Sequence, residues 1–361
     1  MRMYTEPHHS FPVHFHNTVE LDEAPGGGVL LRRYPRAVRE AMGPLGRLVS
    51  EESSGCEIRF VAEAPNIRIA LSAMPGALAP NEEHRLDLVI FQGAFFHSHI
   101  RLTPGQVNYI NLTDIGQLVA NGYASLKSNA RDTDYFPQRV WRILFGRYPA
   151  VFHDVHTFGY PIRPPREDEM PRRRLLCYGS SITHGAAATL YHLCYVQQAA
   201  RRLKVDALNL GLSGSCRCEP EVADDLAARP DWDMITLELG VNMRAEFSTD
   251  TFKERAHALI QKMADAHPDK PVVVITIYPN AQSCKNALDD TSEAVRKQEG
   301  FSDALRNIVK TLDRPHVRLI EGSDILTDYG GMAKDLIHPG DYGHIEMGWN
   351  LAEKIKPWIE K

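Results

Sequence analysis

The chain has 361 residues, of which 41 are basic and 46 acidic, for a formal charge of −5. At roughly 100–200 residues per domain this length predicts two domains, and the mild acidity argues against a nucleic-acid binder, which usually carries a basic face. Hydrophobic residues at 43% and charged residues at 24% disfavour disorder, and the apolar stretch Pro271 to Tyr278 falls far short of the ~18 residues of a membrane span.

Met1 to His9 lack the apolar core of a secretory signal, which gives the expectation of a cytoplasmic protein. Six cysteines (Cys56, Cys177, Cys194, Cys216, Cys218 and Cys284) are too few for a disulfide framework in a chain this long. Cys216 and Cys218 stand one residue apart rather than at the spacing of zinc or redox motifs, so the thiols read as buried or incidental.

The first half reads as strands and turns. Cys56, Ile58, Phe60 and Ala62 alternate with Glu57, Arg59, Val61 and Glu63, the period of a strand with unequal faces. Ile67, Ile69 and Leu71 resume that period, Leu86, Leu88 and Ile90 repeat it, and Trp141, Ile143 and Phe145 give one more inward row. Gly26 to Gly28, Pro75-Gly76 and Pro104-Gly105 supply turn chemistry between such runs. These signals predict an antiparallel β-sandwich, jelly-roll-like, over residues 1–165. Four prolines between Tyr160 and Arg174, set among charges, predict an exposed, fairly stiff linker.

Residues 166–361 change rhythm to β, α, β, α. Short apolar runs at Leu175 to Gly179, Asp206 to Leu210, Met234 to Leu239, Val272 to Ile277 and Val317 to Ile320 alternate with helical stripes such as Phe252, Ala256, Leu259, Ile260 and Met263. Further stripes run through Leu193, Val196, Ala200 and Leu203, through Leu305, Ile308 and Val309, and through Leu351, Ile355 and Ile359. Continuous β-branched character at Val272 to Ile277 fits a strand covered on both faces. The expected fold is a three-layer, doubly wound α/β domain with a parallel five-stranded sheet.

In such sheets ligands bind at the carboxyl ends of the strands. The segments that follow the strands are Gly179-Ser180-Ser181-Ile182-Thr183-His184-Gly185, Gly211-Leu212-Ser213-Gly214-Ser215, Gly240-Val241-Asn242-Met243 and Asp335-Leu336-Ile337-His338. A hydroxyl becomes a nucleophile when a base takes its proton, and the base works best when a carboxylate fixes its tautomer. Asp335 and His338 can meet within one turn and leave Nε2 for Ser181, at the expected junction of a strand and a helix. The Asn242 amide and the N–H of Gly214 can donate to an oxyanion formed there.

Taken alone, Ser181 would be a helix cap, Asn242 a turn residue, and Asp335 with His338 a surface turn; it is their order after successive strands that raises the functional reading. That order resembles the SGNH (GDSL) hydrolases, from about Leu175 to Lys361. The resemblance implies a serine esterase without a cofactor or metal. Ser181, Asp335 and His338 would form its triad, and Ser181, Gly214 and Asn242 its oxyanion hole. Two positions depart from the family pattern: Ser180 stands where its first block has aspartate, and Met243 where aspartate commonly follows the asparagine. A Gly-Ser-Ser-Ile-Thr block behind an amino-terminal β-domain is similar to carbohydrate esterases that deacetylate xylan-type sugars. A lipase or lysophospholipase, and a non-catalytic carbohydrate-binding protein on the same fold, are the alternatives.

Other residues compete for a role. His184, close after Ser181, is a candidate substrate contact or base, and Met243 a candidate contact. Only His338 has an aspartate at triad spacing, so it is the expected base. Glu238 reads as a structural carboxylate rather than a second acid. His97 with His99, and His153 with His156, lack the companions of a metal site, and Gly179 to Gly185 lacks the Lys-Ser/Thr ending of a phosphate loop. The expected partner is a small-molecule or oligosaccharide ester, with neither nucleic acid nor membrane. The β-domain can serve as a homo-oligomer contact, a glycan platform or a pocket wall.

Overall fold

The structure, a computed structural model, describes residues 11–76, 86–114, 116, 135–281 and 293–360. Met1 to His9 and Cys284 lie outside the described residues. No helix among the described residues is long and apolar enough to cross a membrane.

The alternating rows of the first half form two antiparallel sheets packed face to face. One runs in the order His14–His16, Glu57–Ala62, Val140–Leu144, Asp87–Gln92, Phe95–Arg101, with Ile162–Arg163 also pairing to Glu57–Ala62. The other runs Glu20–Glu23, Val29–Arg32, Ala150–His156, Asn66–Ala73, Asn108–Thr113. Ile58, Phe60, Ile69, Leu71, Leu88, Ile90, Trp141 and Phe152 fill the space between them. Period-two patterning puts every second side chain of each strand there, and this is why the sandwich was visible in the sequence.

The other face of Glu57–Ala62 departs from expectation. Glu57 and Arg59 are buried, because that face packs on the second half of the chain. Arg59 reaches Asp206 at 2.7 and 2.8 Å through Nη2 and Nη1, while Arg59 Nε and the Arg142 guanidinium hold Glu57 at 2.6–2.9 Å. Buried charges persist when paired in this way, and the pairing ties sandwich to α/β layer. Phe136 stacks over the Arg142 guanidinium at 4.0 Å.

Two short helices, Arg36–Ala41 and Pro44–Ser50, were not anticipated from the sequence. Val38, Met42 and Val49 join the core of the α/β half, with Leu210, Leu212 and Val222. The proline-rich connection is not a free linker either. Glu169 within it is buried and accepts from both nitrogens of the Arg163 fork, from Arg139 and from the Arg166 N–H.

The second half is a parallel sheet in the order Asp206–Gly211, Arg174–Gly179, Met234–Glu238, Val272–Ile275, Val317–Ile320. Helices Pro220–Ala228, Thr249–Ala266 and Glu293–Leu312 pack on one face, and Tyr195–Leu203 with Asp341–Ile359 on the other. Gly348 permits that last contact: a side chain there would collide with the Gln198 side chain and the Tyr195 carbonyl. The chain reverses direction across the sheet at Arg174–Gly179, whose two neighbours are the second and third strands. The carboxyl end of that strand is therefore a topological switch point, where loops diverge and leave a crevice.

Candidate active site

Ser181 lies just past the carboxyl end of the switch-point strand. It does not open a helix, as expected, but begins a turn held by His184 N–H to Ser180 O and Ala186 N–H to Ser181 O, both 2.9 Å. The helix proper starts only at Tyr195, so any oxyanion stabilisation here comes from individual N–H groups rather than a helix dipole.

His338 arrives from the far end of the chain. Its Nε2 lies 2.7 Å from Ser181 Oγ, across 157 positions of sequence. Its Nδ1 lies 2.6 Å from Asp335 Oδ2, while Asp335 Oδ1 accepts the N–H groups of Ile337 and His338 at 3.0 Å each. An ionised carboxylate can only accept, so Nδ1 carries the proton and Nε2 is left to accept from the Ser181 hydroxyl. Burial pushes the Asp335 carboxyl up, but the hydrogen bonds from His338 and Ile337 outweigh it and hold the group below its ordinary range. The loop is fixed from outside by Ala281 N–H to Leu336 O at 2.8 Å, and Leu336 itself takes a left-handed φ of 53°.

The three expected oxyanion donors stand ready in a specific sense. Asn242 Oδ1 accepts the Cys216 N–H at 3.1 Å, which consumes the carbonyl end of the amide and leaves Nδ2 to donate. Neither that Nδ2 nor the N–H groups of Ser181 and Gly214 has a partner among the described residues. Gly214 adopts φ 69°, and a side chain there would meet Leu45 of the sandwich half at 3.0 Å. The β-domain thus stands against the oxyanion loop.

Two candidates are corrected. His184 has no exposed surface: its Nδ1 faces Ser213 Oγ at 2.8 Å, and its Nε2 faces Ser54 Oγ at 2.6 Å and Arg33 Nη2 at 3.2 Å. It is neither base nor substrate contact, because every ring nitrogen is turned into the domain junction. The buried Glu52 Oε2 also lies 3.4 Å from Nε2, and Nδ1 sits against Ser213, the neighbour of Gly214. Arg33 Nη1 also holds the carbonyls of Asn209 and Gly211 at 3.0 and 3.1 Å. Met243 is likewise buried, in the apolar core beside the sheet, so it cannot touch a ligand. The His97 and His153 rings are taken up by local bonds, to Thr113 O at 2.9 Å and Ser72 Oγ at 2.8 Å.

Glu238 is the structural carboxylate its sequence position suggested, while the Arg33–Ser54 contribution to His184 left no signal in the sequence. Glu238 Oε2 accepts the Ser180 N–H at 2.7 Å and the Thr183 hydroxyl at 3.0 Å, the two residues flanking Ser181 and Ile182. Burial without a cation raises its carboxyl to about 7, against the lowering effect of those hydrogen bonds. A cavity of about 750 Å³ lined by Tyr135, Met170, Arg172, Lys204 and Val205 lies at the amino ends of the strands, on the side away from Ser181.

Residues 172–356 match the GDSL-like Lipase/Acylhydrolase family. Among solved structures, the chain is similar to a salicylyl-acyltransferase from a tetracycline biosynthetic pathway, at 16% identity and TM-score 0.79, covering 98% of this chain and 96% of that one. It is also similar to a family two carbohydrate esterase from Cellvibrio japonicus (12% identity, TM-score 0.61, 97% and 96% covered). A third likeness is a family two carbohydrate esterase from Clostridium thermocellum in complex with cellohexaose (12% identity, TM-score 0.59, 84% and 92% covered). No curated protein matches the sequence. At these identities the likeness is one of fold, and it extends over both halves of the chain. The family match spans half of the sequence, and with it the chain belongs to the GDSL-like lipase/acylhydrolase family.

Proposed function

We propose that this protein is a serine esterase that hydrolyses small acyl esters, with O-acetyl groups on carbohydrates as its substrate class. The observation that carries the proposal is the continuous hydrogen-bonded line from Ser181 Oγ through His338 to Asp335. As Ser181 Oγ attacks the ester carbonyl, its proton passes to His338 Nε2, and the imidazolium is stabilised by Asp335. The carbonyl oxygen becomes an oxyanion, which the N–H groups of Ser181 and Gly214 and the Asn242 Nδ2 are free to receive. Collapse breaks the bond to the alcohol, which leaves with the proton from His338. Water then repeats the sequence on the acyl-enzyme and releases the acid.

Two features support a short acyl group on a hydrated alcohol. Leu45 stands beside Gly214, so an acyl chain running past the glycine on that side would meet it. The rim is open on the histidine side, where the Asp335 and His338 side chains are 40% and 22% exposed. Tyr329 and Tyr342, both exposed, bracket this loop in the sequence, and exposed aromatic rings suit the apolar face of a sugar. The carbohydrate esterases among the similar structures support the same reading.

Ser181→Ala should lower hydrolysis of a generic acetate ester by roughly 10³-fold or more, as loss of a nucleophile does. Unchanged turnover would end the proposal. A rate series from acetate to octanoate should fall steeply after two carbons; a rise toward eight carbons would favour a lipid substrate instead.

A further inference from the structure

The turn that presents Ser181 is short, and something must hold it at the end of its strand. In the family's first block an aspartate precedes the serine, and here that position is Ser180, whose hydroxyl accepts the Ile182 N–H at 3.2 Å and also hydrogen-bonds to Glu238. A carboxyl group is nonetheless present beneath the turn, brought by the neighbouring strand. Glu238 ends Met234–Glu238, is 1% exposed, and reaches across to Ser180 N–H and Thr183 Oγ1.

Three further observations converge on this group. Its second oxygen, Oε1, has no hydrogen-bond partner among the described residues, so the carboxyl is not committed to a cation or to another strand. Thr183 gives its only hydroxyl proton to Glu238, and must therefore accept from Tyr195 OH at 2.7 Å, which extends the hold into the helix behind. Gly179 lies under the same spot: a side chain there would run into Thr183 Oγ1 and would sit 2.6 Å from Glu238 Oε2. The strand end is kept bare where the carboxyl must fit.

We infer that Glu238 is the positioning residue of the nucleophile, a carboxyl supplied from the adjacent strand that fixes Ser181 by gripping the residues on either side of it. Ser180, through its N–H and its hydroxyl, and Thr183, through its O–H, are the handles, and Oε2 takes both the Ser180 N–H and the Thr183 O–H. A proton on Oε1 leaves that grip intact, so the role depends on shape and acceptor geometry rather than on charge. This inference rests on the reading of Ser181 as an activated nucleophile.

The test follows covalent labelling of the full-length protein by a fluorophosphonate probe, with saturation kinetics that separate reversible binding from the maximal rate of bond formation. Glu238→Ala should lower the maximal rate roughly 10- to 100-fold, the scale set by small misplacements of reacting groups, with probe binding little changed. Glu238→Gln, which keeps one acceptor oxygen in place, should recover most of that loss. Gly179→Ala evicts the carboxyl without removing it and should mimic Glu238→Ala; it carries the test alone if Glu238→Ala fails to fold. Wild-type labelling rates in Glu238→Ala or Gly179→Ala, or a Glu238→Gln as slow as Glu238→Ala, would overturn the inference. A wild-type protein that the probe does not label would overturn the serine-esterase reading itself, and this inference with it.

Discussion

Replacing Asp335 by asparagine changes one atom in the proposed triad and reverses the direction of one hydrogen bond. The asparagine Oδ1 can keep the N–H groups of Ile337 and His338, so the loop should hold its shape and the new amide NH₂ should face His338 Nδ1. Two donors cannot pair. The imidazole then moves its proton to Nε2, the atom that has to take the proton of Ser181. In an enclosed triad this tautomer error costs about 10⁴ in kcat. The Asp335 side chain is 40% exposed, so water can serve Nδ1 part of the time. The expected loss is therefore smaller, about 10²–10³ in kcat, or about 3–4 kcal/mol of activation free energy, with KM little altered. Initial rates on an aryl acetate at several substrate concentrations give both parameters. Asp335→Ala should be at least as slow and should also loosen the loop, since it releases both backbone N–H groups. A Asp335→Asn variant within threefold of wild type, on the scale where tautomer control is worth about 10², would refute the orienting role.

Two further expectations concern stability. Asp206→Asn removes one of the carboxylates that hold Arg59 in a site where both side chains are nearly inaccessible to solvent, 1% and 3% exposed. Breaking such a buried pair should cost about 3–5 kcal/mol, seen as an earlier urea midpoint that sandwich and α/β probes share; an unmoved midpoint would sink the account of the junction. Glu238 carries a folded-state pKa raised from 4.5 to about 7, chiefly by burial. Its contribution is thus fully present below about 4.5 and is lost as pH rises through about 7, which penalises wild type relative to the non-titrating Glu238→Gln by about 3 kcal/mol at alkaline pH. Parallel urea titrations of the two proteins at pH 5 and pH 8 check this; a pH-independent difference would refute it.

The junction gives the β-domain a physical role that its own sequence does not advertise. Arg33, Ser54 and Leu45 come from the sandwich half, yet they meet His184, the Gly211 carbonyl and Gly214, all around the oxyanion loop. Ser213, held by His184, sits beside Gly214, the proposed oxyanion donor. The β-domain packs against the proposed site rather than being tethered beside it.

The sequence by itself determined the layers, because period-two rows such as Ile67, Ile69 and Leu71 and helical stripes such as Phe252, Ala256 and Leu259 are local consequences of which faces are buried. It also determined that Ser181, Gly214, Asn242 and the Asp335–His338 pair would follow successive strand ends, since a parallel sheet sends its loops to one rim. Only the tertiary structure decided which polar residues reach that rim. Closeness to Ser181 made His184 a candidate substrate contact, but packing turned its ring into the domain junction, and the chain after Asn242 folded Met243 into the core. Nothing in the alternation marks Glu57, Arg59 and Asp206 as partners; the two halves bury them together. Burial of a strand's second face, and the partner that compensates a buried charge, depend on residues far away in sequence, and no local pattern records them.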